Sequence, residues 1–341
     1  MTEAAERGPV TEAAERGPVT GVAEPAAGSA AEAAEPVPEA QQRIRLDLGY
    51  RGTDFHGWAR QPDARTVQGL LEQALETICG TPIRTVVAGR TDAGVHARRQ
   101  VVHLDITPAI AAKLIGRSAR SAGEALAARL RGALRHLGAD DIAIHAAAEV
   151  DAAFDARFAA VSRRYTYRIA DPAAFLDPLT APHTTVSKER LDAERMHAAA
   201  QEILGLHDFL PFCKPRPEST TIRTLLECNV TRDAEGIIVI DLRADAFCHH
   251  MVRALVGGLM KVGAGAWPAT RPAELIARAE AGSTDLGPMF VTPAHGLVME
   301  HVEYPPPREW RARAERTRAR RDTEPGADSD PGADSSPGAS V

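Results

Sequence analysis

The sequence predicts an α+β fold: two similar lobes of mostly antiparallel sheet with helices on one face, between low-complexity ends. Three observations carry this. Strand-period and helix-period apolar patterns alternate through the middle of the chain in an order close to β-α-β-β-α-β, and the order recurs in the second half. The 341 residues exceed the roughly 250–300 at which a single core stops growing. The ends are repetitive: Thr2–Val10 reads T-E-A-A-E-R-G-P-V, Thr11–Val19 repeats it, and Pro325–Ser340 repeats P-G-A-D-S. Neither end has an apolar period that would offset the entropy of ordering it, so 1–42 and 322–341 are expected to be disordered.

The elements follow in order. Ile44, Leu46, Leu48 and Tyr50 alternate as in a half-buried strand. Thr66 can cap a helix with apolar positions Val67, Leu70, Leu71, Ala74, Leu75 and Ile78, and Gly80 stands where a helix stop belongs. Strands are expected at 83–88 and 101–106, a helix at 122–137 and a strand near 141–149. In the second half Tyr165, Tyr167 and Ile169 alternate on a strand. A helix at 192–204, strands near 225–231 and 237–244, helices at 249–262 and 271–281 and a strand at 297–303 complete it. A boundary near 150–155 divides the core into lobes 43–152 and 153–307. The Arg-rich 308–320 has almost no apolar face and is expected to have no packed role.

Composition narrows the function. The chain is 44% hydrophobic and 25% charged, as soluble globular proteins are. No stretch approaches the ~18 unbroken apolar residues of a membrane span. The acidic start lacks a basic segment followed by an apolar run, so no secretory signal is expected and the location is read as cytoplasmic. Four scattered cysteines, Cys79, Cys213, Cys228 and Cys248, form no C-x-x-C pair, which favours reduced thiols over disulfides or zinc. The net charge of −6 resides in the ends: 1–42 carries eight Glu and two Arg, 322–341 four Asp and one Glu, and 308–321 seven Arg and two Glu. The core 43–307 is neutral, so only local charge can indicate a nucleic-acid partner.

Four segments stand out. Ala88–Ala97 reads A-G-R-T-D-A-G-V-H-A and places Arg90 and Asp92 between two glycines. It reads either as a decorated turn or as a carboxylate held on a rigid loop, a nucleophile when ionised and oriented. Arg163–Ile169, R-R-Y-T-Y-R-I, alternates Tyr165 and Tyr167 with Arg164 and Arg168: core tyrosines and a solvated face, or an aromatic beside cations for an unpaired base and phosphate. Ala246–Gly258, A-F-C-H-H-M-V-R-A-L-V-G-G, opens a helix with a buried stripe of Met251, Leu255, Leu259 and Val262. The adjacent His249 and His250 are expected to point apart, so no metal site is expected, and Arg253 can reach a carboxylate from another segment. Tyr50–Gln68 mixes Arg51, Arg60 and Arg65 with Phe55, His56 and Trp58, a solvated loop or an RNA contact.

These segments, in this order, together with Gly296–Pro305 (G-L-V-M-E-H-V-E-Y-P), resemble the tRNA pseudouridine synthase A family from about Ile44 to Tyr304. The resemblance implies the pseudouridine synthase fold and an isomerase that converts uridine to pseudouridine at positions 38, 39 and 40 of the tRNA anticodon stem-loop. It implies that Asp92 is the nucleophile, Arg253 its partner, and Tyr165 the residue that stacks on the target base and helps remove its C5 proton. Arg90 would enter the space left by the flipped nucleotide, and Arg164 and His96 would also bind substrate. Attack at ribose C1′, attack at uracil C6 and a glycal route all start from this carboxylate, and the residues do not choose among them. The resemblance implies no cofactor, no metal and a homodimer with tRNA lying across both subunits. Two positions depart from it: Arg51 stands where the family has an acidic residue, and Ala59 where it has Gln. The alternatives are a non-catalytic RNA-binding module on the same scaffold, which has no use for Asp92, Tyr165 and Arg253 together, and a hydrolase, which would release free uracil.

Overall fold

The computed structural model describes residues 41–215 and 220–322; the two segments expected to be disordered lie almost wholly outside the described residues. The chain runs β1 (Gln42–Tyr50), α1 (Val67–Cys79), β2 (Val86–Val87), β3 (His96–Ile106), α2 (Pro108–Ile115), α3 (Ala122–His136) and β4 (Ile142–Val150). It continues through β5 (Ser162–Ala170), β6 (Thr185–Val186), α4 (Ala193–Gln201), β7 (Gly205–Asp208), β8 (Ile222–Arg232), β9 (Ile238–Ala244), α5 (Met251–Gly263), α6 (Arg271–Glu280), β10 (Leu297–Glu303) and α7 (Trp310–Asp322). The strands form one mostly antiparallel sheet in the order β4-β1-β3-β10-β5-β9-β8-β7, with β2 beside β3 and β6 beside β5.

Local chemistry sets the elements. On β1, Ile44, Leu46 and Leu48 are fully buried while Arg43, Arg45 and Asp47 alternate with them on the other face. The Thr66 hydroxyl accepts from Gly69 N–H to start α1, and Gly80, at φ +79°, ends it by donating to Glu76 C=O. Ser121 and Glu124 form a reciprocal capping box on α3. Packing of α3 on β4 and of α4 on β8 and α5 covers the apolar face in each half. The opposite face carries ion pairs, among them Arg43 with Asp105 and Arg243 with Glu227.

Within the sheet the halves are joined by a parallel pairing of only two residues on each side, Val298 with His96 and Met299 with Ala97. β10, the last strand of the core in sequence, thus lies between β3 of the first half and β5 of the second. No helix among the described residues is long and apolar enough to cross a membrane.

Two expectations need correction. The Arg-rich segment has a packed role: Trp310 and Ala314 of α7 are buried, and the indole meets the Phe154 ring edge-on at 4.8 Å. One aromatic and one small residue suffice as anchor, too few to leave a periodic signature. Arg313 adds hydrogen bonds to Ala160 C=O, and Arg318 pairs with Asp155. The thiols are also not all reduced. Cys213 and Cys248 are joined, with Cα atoms 5.9 Å apart, because the turn after Phe212 folds against the approach to α5; Cys79 and Cys228 are free and buried.

Candidate active site

The loop between β2 and β3 is clamped on several sides. The Gln100 amide donates to Gly89 C=O, the Arg163 guanidinium donates to Ala88 C=O, and the Tyr50 and Thr91 hydroxyls share a 2.7 Å hydrogen bond. Trp58 N–H donates to Thr91 C=O, and Gly94 N–H donates to Phe55 C=O. Gly57 makes this approach possible: its φ is +92°, and a Cβ there would stand 2.9 Å from the Thr91 carbonyl oxygen. Asp92 is therefore held by backbone contacts that leave its carboxylate free to project.

The second half supplies what the carboxylate meets. Arg253, in the first turn of α5, donates through Nε to Thr292 C=O at 2.7 Å and through Nη1 to Asp92 Oδ2 at 3.3 Å. Thr292 in turn donates to Arg253 C=O through both its N–H and its hydroxyl. A carboxylate and a guanidinium 161 residues apart are thus brought together, the guanidinium fixed by its other edge.

His249 and His250 require a correction, because their rings do not point apart. α5 begins only at Met251, and His250 sits at φ +67°, outside the helix. The left-handed turn brings the rings together at 3.9 Å between centroids. His249 Nε2 lies 3.5 Å from Asp92 Oδ1, and His250 Nε2 lies 3.6 Å from Oδ2. The three side chains offer ligand atoms within 4.8 Å of one another. The Arg253 guanidinium already supplies positive charge at that carboxylate, which opposes a metal cation there.

Tyr165 is buried on β5, and its ring meets Phe247 edge-on at 5.1 Å. Burial pushes its phenol well above the usual range, and the Tyr50 and Asp92 charges act in the same direction. A family model for tRNA pseudouridine synthase matches residues 199–305. Over 287 residues the chain is 48% identical to a tRNA pseudouridine synthase A from Leifsonia xyli, covering 82% of this chain and 97% of that one. This chain belongs to the tRNA pseudouridine synthase A family. Its members also include proteins from Frankia casuarinae, 48% identical over 278 residues (81% of this chain, 94% of that one), and from Streptomyces griseus, 46% identical over 288 residues (84% and 95%). It is a family of isomerases.

The other residues singled out in this tRNA pseudouridine synthase A relative are dispersed. Arg90 is exposed on the Asp92 loop. Arg164 lies on the opposite face of β5 from Tyr165 and pairs with Glu227 at 3.2 Å, so it is not brought to Asp92. Of the basic and aromatic cluster, Phe55 and Trp58 are buried, and Arg65 pairs with Asp141 while its guanidinium covers the Phe55 ring at 4.2 Å. Those three are core and brace, which leaves Arg51, His56 and Arg60 exposed. Missed in the sequence were Phe247, Thr292, Gln100 and Arg163; only the doubled Arg before Tyr165 hinted at one of them.

His96 is a brace. Its Nδ1 accepts from Gly52 N–H at 3.1 Å, and burial, with His183 adding, lowers its imidazolium to about 4. The neutral ring belongs to the folded state. As pH falls from 6.5 toward 4 the unfolded chain takes up a proton that the folded chain refuses, so stability is complete above 6.5 and declines through this window. The expected loss between pH 7 and pH 5 is about 2 kcal/mol from this group. Buried His103 shifts in the same direction and adds to the decline. Urea midpoints of wild type and His96→Gln at the two pH values check this: the variant should show the smaller decline.

Proposed function

We propose that this chain isomerises uridine to pseudouridine at positions 38, 39 and 40 of the tRNA anticodon stem-loop, with Asp92 as nucleophile. The observation that carries the reading is the Asp92–Arg253 contact across the two halves, at 3.3 Å. Its membership of the tRNA pseudouridine synthase A family supports the substrate class. The guanidinium orients the carboxylate, and the loop clamps limit its motion. The target nucleotide must leave the stack to meet it, and Arg90, exposed on the same loop, enters the gap. The glycosidic C1′–N1 bond breaks, the uracil rotates, and C5 joins C1′. The C5 proton is lost and N1 gains one, so the product is an isomer of the substrate.

Tyr165 stacks on the flipped base. Because its phenol stays neutral, any part in C5 deprotonation is a relay in which it passes its own proton on to water. Tyr165→Ala is expected to weaken tRNA binding by ~1–3 kcal/mol, the range for base–aromatic stacking. Tyr165→Phe should bind as wild type and lose most of the rate; a fully active Phe variant would leave the ring as a stacking surface only. Filter binding and single-turnover assays separate the two.

The assembly is a homodimer in the cytoplasm with tRNA lying across both subunits. The direct test is incubation with an unmodified anticodon-arm transcript, followed by carbodiimide-blocked primer extension. Blocks diagnostic of pseudouridine at 38, 39 and 40 are expected. Release of free uracil would identify a hydrolase, and binding without either product a non-catalytic module.

A further inference from the structure

We propose that His249 and His250 are positioning residues for the Asp92 carboxylate, one imidazole against each oxygen. The inference rests on the reading of Asp92 as nucleophile. The two Nε2 atoms stand 3.5 and 3.6 Å from Oδ1 and Oδ2. These distances exceed those of strong hydrogen bonds, so the rings act as walls and dipoles that limit the swing of the carboxylate. With Arg253 Nη1 also on Oδ2, both oxygens are flanked by side chains from a single segment of chain. The rings lie against each other, so one cannot turn without displacing its neighbour.

The backbone supplies an independent observation. His250 and Asp63 are the two non-glycine residues at positive φ among the described residues. A left-handed residue with a Cβ carries a conformational cost that glycine avoids, and such outliers persist where a side chain is needed in one place. The His250 side chain does not cap α5. Its carbonyl accepts from Ala254 N–H, a bond that any residue at this position can make. The ring is therefore dispensable for starting the helix, and the left-handed backbone places it beside Asp92. Lys214 N–H donates to His249 C=O and fixes the preceding residue. Misplacement of a reacting group by about 1 Å can cost on the order of 100-fold in rate.

The full chain carrying His250→Gly tests this. Glycine suits the left-handed backbone and removes the ring. The single-turnover rate on saturating anticodon-arm transcript is expected to fall at least tenfold, with tRNA affinity within twofold of wild type and Tm equal or higher. Millimolar imidazole should restore the rate of this variant at least threefold, since a free ring can occupy the vacated space; a merely structural role would not respond. His250→Asn, which also tolerates the backbone but is too short to reach Oδ2, should show the same loss at unchanged Tm. A rate within twofold of wild type in either variant, or a rate loss accompanied by a lower Tm and no imidazole response, overturns the proposal. Asp92→Asn separates the failures. Activity in that variant removes the nucleophile reading, whereas an inactive Asp92→Asn beside a fully active His250→Gly removes only the positioning role.

Discussion

Asp92→Asn is expected to abolish pseudouridine formation while leaving tRNA binding within a few-fold of wild type. The amide keeps the shape of the carboxylate and can still receive Arg253, but it is not a nucleophile at neutral pH. Affinity for RNA comes largely from phosphate contacts, which this change does not touch. The expected rate loss is at least 1,000-fold in a single-turnover assay, about 4 kcal/mol of barrier. Turnover within tenfold of wild type would remove Asp92 from the chemistry. Because the loop is held by Trp58, Gln100, Arg163 and the Tyr50–Thr91 pair and not by the carboxylate, Tm should move by less than a degree or two.

Gly257→Ala is expected to have the second large effect, by a different route. Gly257 lies on α5 one turn after Arg253, and a Cβ added there would stand 2.0 Å from the Phe290 carbonyl oxygen. Backbone on both sides of the contact leaves no flexible side chain to yield, so the segment 289–293 must move. That segment carries Thr292, whose carbonyl fixes the Arg253 guanidinium, and Pro293, whose carbonyl accepts from the Tyr167 hydroxyl. Overpacking of this kind typically costs 1–3 kcal/mol and here outweighs the roughly 1 kcal/mol of helix propensity that alanine adds. The expected result is a lower urea midpoint together with a tenfold or greater loss of rate. A stable and active variant would mean that residues 289–293 do not press on Gly257.

Parts of the molecule that depend on near neighbours in sequence were legible in advance. The alternation of Ile44, Leu46 and Leu48 sets the buried face of β1, and Thr66 and Gly80 bound α1 as capping chemistry requires. The reach of Arg253 to a carboxylate from another segment was legible from its place one turn beyond the histidine pair. What escaped depends on distant contacts or on a single unusual backbone angle. Helical spacing separates His249 from His250, but His250 is left-handed and the rings converge. His96 and Arg164 belong to recognisable motifs, yet one is buried beneath Gly52 and the other lies on the far face of the sheet. The anchor of α7 is Trp310 against Phe154, a pairing that no local period announces. The insertion of β10 between β3 and β5 rests on partners some 200 and 130 residues away along the chain.

That insertion has a consequence for how the protein is made. Synthesis proceeds from the N-terminus, so β3 and β5 leave the ribosome long before Leu297–Glu303 exists to join them. Until then each presents an unpaired strand edge, the kind of surface that invites pairing with another chain. The residues flanking Asp92 arrive in three instalments: the loop early, His249 to Arg253 late, and Thr292 just ahead of the joining strand. A nascent chain stalled before residue 297 would hold every charged group of the site and lack the strand that brings its halves together. The central sheet therefore closes, and the two sides of the site meet, only after almost the whole core has emerged.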